Sequence, residues 1–410
     1  MNTFQLPDRI LNFSNSISEA GGTAYVAGGC VRDHLLGIES KDIDLEIHNL
    51  APERLVEIIK RFKPYKAVGK SFGVWKLLPV TQTDLEVDVA LPQQNGQPAP
   101  FIGTQAACTR RDLTINSMLW NIEAQELEDP FHGSDDLQNR LLKATHDEHF
   151  AEDPLRVFRV AQFAGRLQCD VDPNLQTLCQ TLTAQSSFAT LPKERVLIEL
   201  EKGWFKSLHP EVATKWMVVL RALPEYIPIF KTLSVEQWQR TFNRIKYAGS
   251  KRSTLSKGHS MGLFWAMLTS EFTDSERTLI FDHLNIERFH GFPIRRAFDQ
   301  IHSLVSQIAE QSSRIVQNHI GEHIRPTFVY DVADGVLLGQ SQYVRENRQQ
   351  SAERGILHTG LPRLLSGEDL LQLGLKGAEL GKWMQQIRKE QLDERIQSRA
   401  SALNWIKENL

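Results

Sequence analysis

The chain has 410 residues, 41% of them hydrophobic and 24% charged, with a formal net charge of −3. That length exceeds one ordinary domain, and the composition is that of a folded globular protein rather than a disordered or fibrous one. The near-neutral balance excludes a globally basic nucleic-acid binder, so an RNA partner has to meet a local basic surface. No apolar run approaches the ~20 residues of a membrane span, so no membrane partner is expected. Residues 1–5 lack the basic and apolar regions of a signal peptide. Four cysteines without metal-ligand spacing, Cys30, Cys108, Cys169 and Cys179, point to a reducing, cytoplasmic location and no structural zinc.

In chain order, residues 1–22 read as a short helix through Leu6, Ile10, Leu11 and Phe13. From 23 to ~130 the pattern is mixed. Strands are predicted at 23–27, 43–47, 73–78, 84–90 and 117–121, with helices at 31–36 and 52–62 between them, a small α/β domain. The first strand runs into Gly28-Gly29-Cys30-Val31-Arg32-Asp33, a glycine turn opening a helix. Glycines let backbone N–H groups approach a phosphate at a helix N-terminus, where the dipole favours negative charge. The next strand carries Asp42 and Asp44, two apart and so on one face, while Ile43 and Leu45 turn to the core. Two hard carboxylates beside a phosphate cradle suit Mg²⁺-assisted phosphoryl chemistry. The strand at 84–90 repeats the alternation: Glu86 and Asp88 share one face, and either could complete a metal site with Asp42 and Asp44. Residues 92–103, rich in Pro, Gly and Gln, read as a loop. From ~140 onward helical periodicity dominates, and Ser366-Gly367-Glu368-Asp369 reads as a capped helix start.

These residues resemble the DNA polymerase β-like nucleotidyltransferases, and more narrowly the class II tRNA nucleotidyltransferase and bacterial poly(A) polymerase family. Five motifs carry the resemblance in order: the Gly28–Asp33 cradle with Asp42 and Asp44; Arg110-Arg111-Asp112-Leu113-Thr114-Ile115-Asn116-Ser117-Met118; Asp129-Pro130-Phe131-His132-Gly133-Ser134-Asp135-Asp136-Leu137; Glu152-Asp153-Pro154-Leu155-Arg156-Val157-Phe158-Arg159; and Glu194-Arg195-Val196-Leu197-Ile198-Glu199. It is strong over 23–205 and weaker over 362–390. The fold class it implies is α+β: an N-terminal nucleotidyltransferase α/β head with a small mixed sheet, followed by an elongated all-helical body. The domains expected are a catalytic head at 1–138, a helical nucleotide-selecting neck at 139–205, a helical body at 206–350 and a tRNA-binding helical tail at 351–410.

The resemblance implies addition or repair of the 3′-terminal CCA of tRNA from CTP and ATP, without a nucleic-acid template and with Mg²⁺ as cofactor. The expected partners are the tRNA 3′ end and the two nucleotides, with no obligate protein partner evident. Asp42 and Asp44 would bind metal, with Asp88 or Glu86 assisting. Gly28 and Gly29 form the cradle, and Arg32 supports the cradle or the phosphates. Arg111, Asp112 and Asn116 would contact ribose and triphosphate, and Arg159 the phosphates. Asp153 and Arg156, expected at i and i+3 on one helical face, would read the base. An aspartate accepts from the exocyclic amine of cytosine or adenine, and an arginine donates to the neighbouring ring acceptor. Guanine and uracil place a carbonyl where that amine sits. Residues 194–199 are expected to brace this reader.

Two departures bear on function. Many relatives carry a basic flexible loop after the third carboxylate strand; here it reads Leu91-Pro92-Gln93-Gln94-Asn95-Gly96-Gln97, with Gln93 where Arg is expected. This leaves open a CC-adding or A-adding enzyme of restricted range, alongside a poly(A) polymerase or a non-catalytic RNA-binding protein. His146-Asp147 lacks the spaced partner histidines of an HD phosphohydrolase site. For RNA, Arg240, Arg244, Lys246, Lys251, Arg252 and Lys257, interleaved with Trp238, Phe242 and Tyr247, combine phosphate neutralisation with stacking. In the tail Lys376, Lys382, Arg388 and Lys389 are further contacts by resemblance.

Overall fold

A computed structural model of the protein describes residues 4–40, 42–68, 74–81, 85–322 and 325–410. The chain divides into two compact units: residues 1–203 with 215–226, and 204–214 with 227–410. The first unit opens with α1 (Asp8–Glu19), β1 (Thr23–Ala27), α2 (Gly29–Leu35), β2 (Asp42–His48) and α3 (Pro52–Ile59). It continues through β3 (Tyr65–Ala67), β4 (Val74–Leu77), β5 (Glu86–Ala90), β6 (Gln93–Gln94) and β7 (Gln97–Pro98). Then come α4 (Thr104–Thr109), β8 (Leu119–Asn121), β9 (Glu126–Glu128), α5 (Gly133–Gln138), α6 (Asp147–Ala151), α7 (Arg156–Leu167), α8 (Pro173–Thr183) and α9 (Lys193–Phe205). The predicted strand starts Gly73 and Asp84 lie outside the described residues.

Seven strands make one mixed sheet in the order β3-β4-β5-β2-β1-β8-β9. Only β2 and β5 pair in parallel; every other neighbour is antiparallel. The alternation expected in β2 holds. Ile43, Leu45 and Ile47 are buried in the core, and Asp42 and Asp44 lie on the opposite face, outside it. On the core side Phe13 of α1 meets Phe62 edge-on at 5.1 Å, and Arg9 donates to the carbonyls of Leu78 and Phe62 at 2.6 and 2.9 Å. β3 and β9, three residues each, are too short to show alternation in the sequence.

The 92–103 segment is not simply a loop: β6 and β7 form a hairpin. Its turn is Asn95-Gly96, both with positive φ (53° and 74°), which a tight hairpin turn requires and which Asn-Gly supplies cheaply. The flanking Pro and Gln residues mask that signal. Helices dominate after residue 140, as expected, with only two-residue strands Leu141–Leu142 and Asp170–Val171 pairing in parallel among the described residues.

In the second unit the helix Lys257–Leu268 is buried nearly all round. Trp204 stacks on Phe264 at 5.2 Å and its Nε1 donates to Thr214 Oγ1 at 3.2 Å. The expected capped start at Ser366 is a capping box: Ser366 accepts from the Asp369 N–H and Asp369 accepts from the Ser366 N–H. A separate small core in the tail gathers Leu370, Leu375, Ile387 and Ile406, flanked by Trp383 and Trp405.

The 129–137 motif is a brace. Asp129 accepts from Gly133 N, Ser134 N and Ser134 Oγ at 2.7, 2.8 and 2.6 Å. Asp136 accepts from Thr114 Oγ1 at 2.8 Å and Lys143 Nζ at 2.6 Å. A Cβ on Gly133 would stand 2.1 Å from the Thr114 carbonyl oxygen, so α5 fits only with glycine there. Gly133→Ala is expected to lower stability by about 1–3 kcal/mol through overpacking, read as the urea unfolding midpoint. Ser134→Ala, losing one hydrogen bond, should cost about 1 kcal/mol. Equal midpoints for Gly133→Ala and wild type would refute the brace.

Candidate functional site

A cleft of about 700 Å³ opens in the first unit, a size suited to a nucleotide. Its lining combines Gly28, Gly29 and Asp44 from the sheet end with Asp112 and Asn116 from the middle. From the helical side come Asp153, Arg156, Arg159, Phe163 and Arg166 of the α6–α7 region, and Arg195, Ile198, Glu199 and Lys202 of α9. Seven basic side chains line it against four acidic ones, since Arg32 and Arg111 also face it. That excess favours a polyanion. Among the sequence candidates for nucleotide binding, Gly28, Gly29, Arg32, Arg111, Asp112, Asn116, Asp153, Arg156 and Arg159 are all brought to this one cavity.

Gly28 has φ +64°, and a Cβ there would come 2.6 Å from Arg111 Nη1. Conformation and space therefore both demand glycine at the turn into α2. Arg32, 3% exposed, bonds Asp33 Oδ1 through Nε at 2.9 Å and Nη2 at 2.7 Å, and also donates to Asn116 Oδ1. Arg166 reaches the other Asp33 oxygen at 3.0 Å. Arg111 donates to Glu46 at 2.7 Å and to the Asn116 carbonyl at 3.3 Å. Asp112 accepts from Arg159 Nε at 2.7 Å and from Asn116 Nδ2 at 3.0 Å. Burial pushes the Asp112 carboxyl up, but the Arg159 guanidinium and Asn116 amide outweigh it and hold the group below the usual carboxylate range.

The reader pair differs from the expected geometry. Asp153 and Arg156 do not share a helical face: α6 ends at Ala151 and α7 begins at Arg156. Pro154 disfavours helical backbone at the residue before it, so Asp153 lies in the connector, where its carbonyl accepts from Arg156 N at 2.9 Å. Arg156 donates to the carbonyls of His149 and Arg110 at 2.5 and 2.9 Å. Asp153 accepts from Leu155 N at 3.2 Å and Arg195 Nη2 at 2.7 Å. Arg195 of the fifth motif thus grips Asp153, reaching from α9 to the connector, a brace of the kind expected there. Glu199 Oε1 takes Lys202 at 2.7 Å and lies 4.0 Å from Arg159, while Oε2 is buried without a hydrogen bond.

At the sheet end, register sets Asp42 beside Glu86 and Asp44 beside Asp88. Burial first, then the charges of Asp88 and Asp42, raise the Asp44 carboxyl above its ordinary value. Asp88 Oδ1 is buried and accepts no hydrogen bond. Crowded hard carboxylates, one of them with that buried oxygen, are the donor set a divalent cation takes, so the chemistry of these residues fits one. The three-acid set is nonetheless not closed: among the described residues no three acidic, histidine or cysteine side chains converge on one point. Lys76 stands among these acids: its Nζ holds Glu86 at 2.9 Å and lies 3.4 Å from Asp88 Oδ1.

Five lining or supporting residues were not singled out for the site from the sequence: Glu46, Phe163, Arg166, Lys202 and Lys76. Glu46 alone had a signal, at i+4 from Asp42 along the same strand face. The expected basic surface in the second unit needs correction. Arg244, with only 11% of its side chain exposed, is tied to Glu271, to Ser270 at 2.7 Å and to the Val336 carbonyl at 3.1 Å. Arg252 donates to the carbonyls of Trp204 and Ser207. Arg388 is spent on Glu322, Gln391 and the Leu361 carbonyl. Trp238 stacks between Phe230 and Phe242 in the interior. Lys246 and Lys382 are exposed, and Lys251 lies over the Tyr247 ring at 5.5 Å.

Residues 24–143 match the family model of the poly A polymerase head domain. A CCA-adding enzyme of Actinobacillus succinogenes is 34% identical over 237 residues, 55% of this chain and 57% of that protein. A multifunctional CCA protein of Haemophilus ducreyi is 34% identical over 237 residues, 54% and 53%. The chain thus spans about half the length of the curated relatives it matches. In fold it is similar to a CCA-adding enzyme solved with CTP, at TM-score 0.73 and 20% identity over 98% of this chain and 96% of that one. It is also similar to a tRNA nucleotidyltransferase solved with a primer tRNA and an ATP analogue, at TM-score 0.67 and 20% identity over 84% and 99%. Residues 24–143 thus match a poly A polymerase head domain, and the chain has the fold of these solved tRNA nucleotidyltransferases.

Proposed function

We propose that the chain is a tRNA nucleotidyltransferase that adds or repairs the 3′-terminal CCA from CTP and ATP, with Mg²⁺ and without a nucleic-acid template. The observation that carries this reading is one cleft in which Asp44 faces the same space as Asp153 and Arg156, rimmed by an excess of arginines. A divalent cation held by Asp42 and Asp44, with help from Asp88 or Glu86, supplies charge neutralisation and a more acidic attacking hydroxyl. The rest falls to the chain. Arg32, Arg159 and Arg166 face the triphosphate. Arg111, Asp112 and Asn116 position ribose and phosphates. Asp153 keeps lone pairs for an exocyclic amine, and Arg156, held by two carbonyls, keeps N–H groups for the ring acceptor. The tRNA 3′ oxygen attacks the α-phosphorus and pyrophosphate leaves. No covalent enzyme intermediate is needed, since positioning and electrostatics carry the step.

The division into head (1–138), neck (139–205), body (206–350) and tRNA-binding tail (351–410) belongs to the same proposal, as does a reducing cytoplasm. No helix among the described residues is long and apolar enough to cross a membrane, and the four cysteines are free and buried. With Arg244 and Arg252 committed internally, Lys246, Lys251 and Lys382 remain as RNA contacts. The Gln-rich hairpin at 93–98 favours one second reading, an enzyme of restricted range.

The test uses three tRNA transcripts, lacking CCA, ending in C and ending in CC, with Mg²⁺, CTP and ATP, read at single-nucleotide resolution. All three are expected to finish at CCA and stop. Arrest at CC, or extension of the CC-ended transcript alone, identifies a partial adder. Unbounded A addition identifies a poly(A) polymerase, and no incorporation leaves only RNA binding.

Arg156→Ala is expected to erode preference for CTP over UTP by about 5–150-fold, the equivalent of one base contact at about 1–3 kcal/mol. It should also lower the melting temperature through loss of its bonds to the His149 and Arg110 carbonyls, so the preference is read on protein held below that melting temperature. Unchanged preference would remove Arg156 from base reading. Asp44→Asn should abolish incorporation yet raise the melting temperature of the metal-free chain at neutral pH. A carboxyl whose folded value is raised costs stability once ionised, and the cost vanishes as pH falls through the unfolded value. The gain over wild type should therefore disappear in acid.

A further inference from the structure

The face of the sheet that bears the acids also bears two lysines in register, Lys66 of β3 and Lys76 of β4, that no part of the proposed chemistry uses; of these, Lys76 is the one beside the acids. Lys76 of β4 pairs in register with Asp88 of β5, and Asp88 with Asp44 of β2. Residues in register on adjacent strands project to one face and stand about 5 Å apart, so Lys76, Asp88 and Asp44 form a single row across three strands. The next row sets Glu86 beside Asp42. Lys76 Nζ donates to Glu86 at 2.9 Å and lies 3.4 Å from Asp88 Oδ1. Its ammonium thus touches both β5 carboxylates that could complete a metal site. The contact with Asp88 is a longer ion pair than that with Glu86. Arg111, the other cation near Asp44, is committed to Glu46.

We infer that Lys76 is a resident cation of this acidic cluster, which lowers its affinity for a free divalent ion so that the metal loads together with the nucleotide rather than ahead of it. The inference rests on the reading that Asp42 and Asp44 hold that ion. Four carboxylates on one face of two parallel strands repel one another, and one ammonium offsets part of that repulsion while no metal is bound. A dication arriving alone meets a cluster already partly neutralised and a like charge beside it. A nucleotide triphosphate changes the balance, since it brings anionic oxygens of its own to the cluster. With 30% of its side chain exposed and a flexible four-carbon stem, Lys76 can swing aside. An ordinary cross-strand ion pair, the plain alternative, stabilises the sheet by a small amount and leaves metal affinity where it was.

The experiment titrates the full chain with Mn²⁺, following free Mn²⁺ by electron paramagnetic resonance, with and without a non-hydrolysable CTP analogue. Wild type, Lys76→Met, Lys76→Arg and Asp44→Asn are compared. Lys76→Met is expected to bind Mn²⁺ about tenfold more tightly without nucleotide, the scale of removing a unit charge some 5 Å from a dication in a well-solvated site. Its gain on adding the analogue should shrink to match, and Lys76→Arg should behave as wild type. Equal affinity of Lys76→Met and wild type, with Asp44→Asn still weakening binding, overturns the role of Lys76 and leaves the metal site standing. Binding indifferent to Asp44→Asn, or absent throughout, overturns the metal-site reading, and this inference falls with it.

Discussion

The cleft depends on a buried relay of charge-assisted hydrogen bonds that holds its arginines in place. Arg166 and Arg32 share Asp33; Arg32 reaches Asn116; Asn116 and Arg159 share Asp112. Taking such charges out of water is expensive, and a buried pair is a weak source of net stability. What the relay supplies is geometry. A guanidinium bonded on one edge to a carboxylate is fixed in plane and keeps its other donors directed into the cavity. Asp33, Asp112 and Glu46 therefore act behind the arginines they hold. Breaking any one of them leaves an uncompensated charge at the floor of the site, and so the positioning groups are as constrained as those that face the cleft.

The same logic explains the 129–137 segment. It contributes nothing to the lining, yet Asp136 holds Thr114 and Gly133 admits the Thr114–Asn116 turn against α5. That turn carries Asn116, the one neutral side chain in the relay. The five motifs thus divide by task. The glycine turn with Asp44 of β2, the 110–118 segment and the 152–159 segment face the cavity, while 129–137 lies behind them. The 194–199 segment does both, bonding Asp153 through Arg195 and lining the wall through Ile198 and Glu199.

Legibility in the sequence followed the range of the interactions. β1, β2 and β5 were readable because alternation is written residue by residue, and the acids of β2 and β5 came with it. The capping box at Ser366 was readable for the same reason. The connector at Asp153 was readable in principle, since Pro154 forbids the helix that the i and i+3 spacing suggested. Arg244 and Arg252 were not. An arginine among aromatics looks the same in sequence whether it meets phosphate or, as here, carbonyls and a carboxylate supplied by segments far along the chain. Lys76 was invisible for a related reason: its meaning lies in cross-strand register, and register is set by pairing partners the strand itself does not name.

The sheet end and the helical side of the cleft satisfy opposite electrostatic demands. At the strands, acids crowd until Asp44 resists ionisation. Along α7 and α9, cations crowd, with Arg156 and Arg159 one turn apart and Arg195 and Lys202 facing them. The two sides are not equivalent: the acids have few partners, whereas Arg159, Arg195 and Lys202 are each paired with Asp112, Asp153 or Glu199. The cations nevertheless outnumber the acids of the lining, seven to four, and that surplus is what a polyanion would meet. On the proposed function, a metal–nucleotide complex would bring a cation to the crowded acids and phosphates to the surplus of arginines in one binding event.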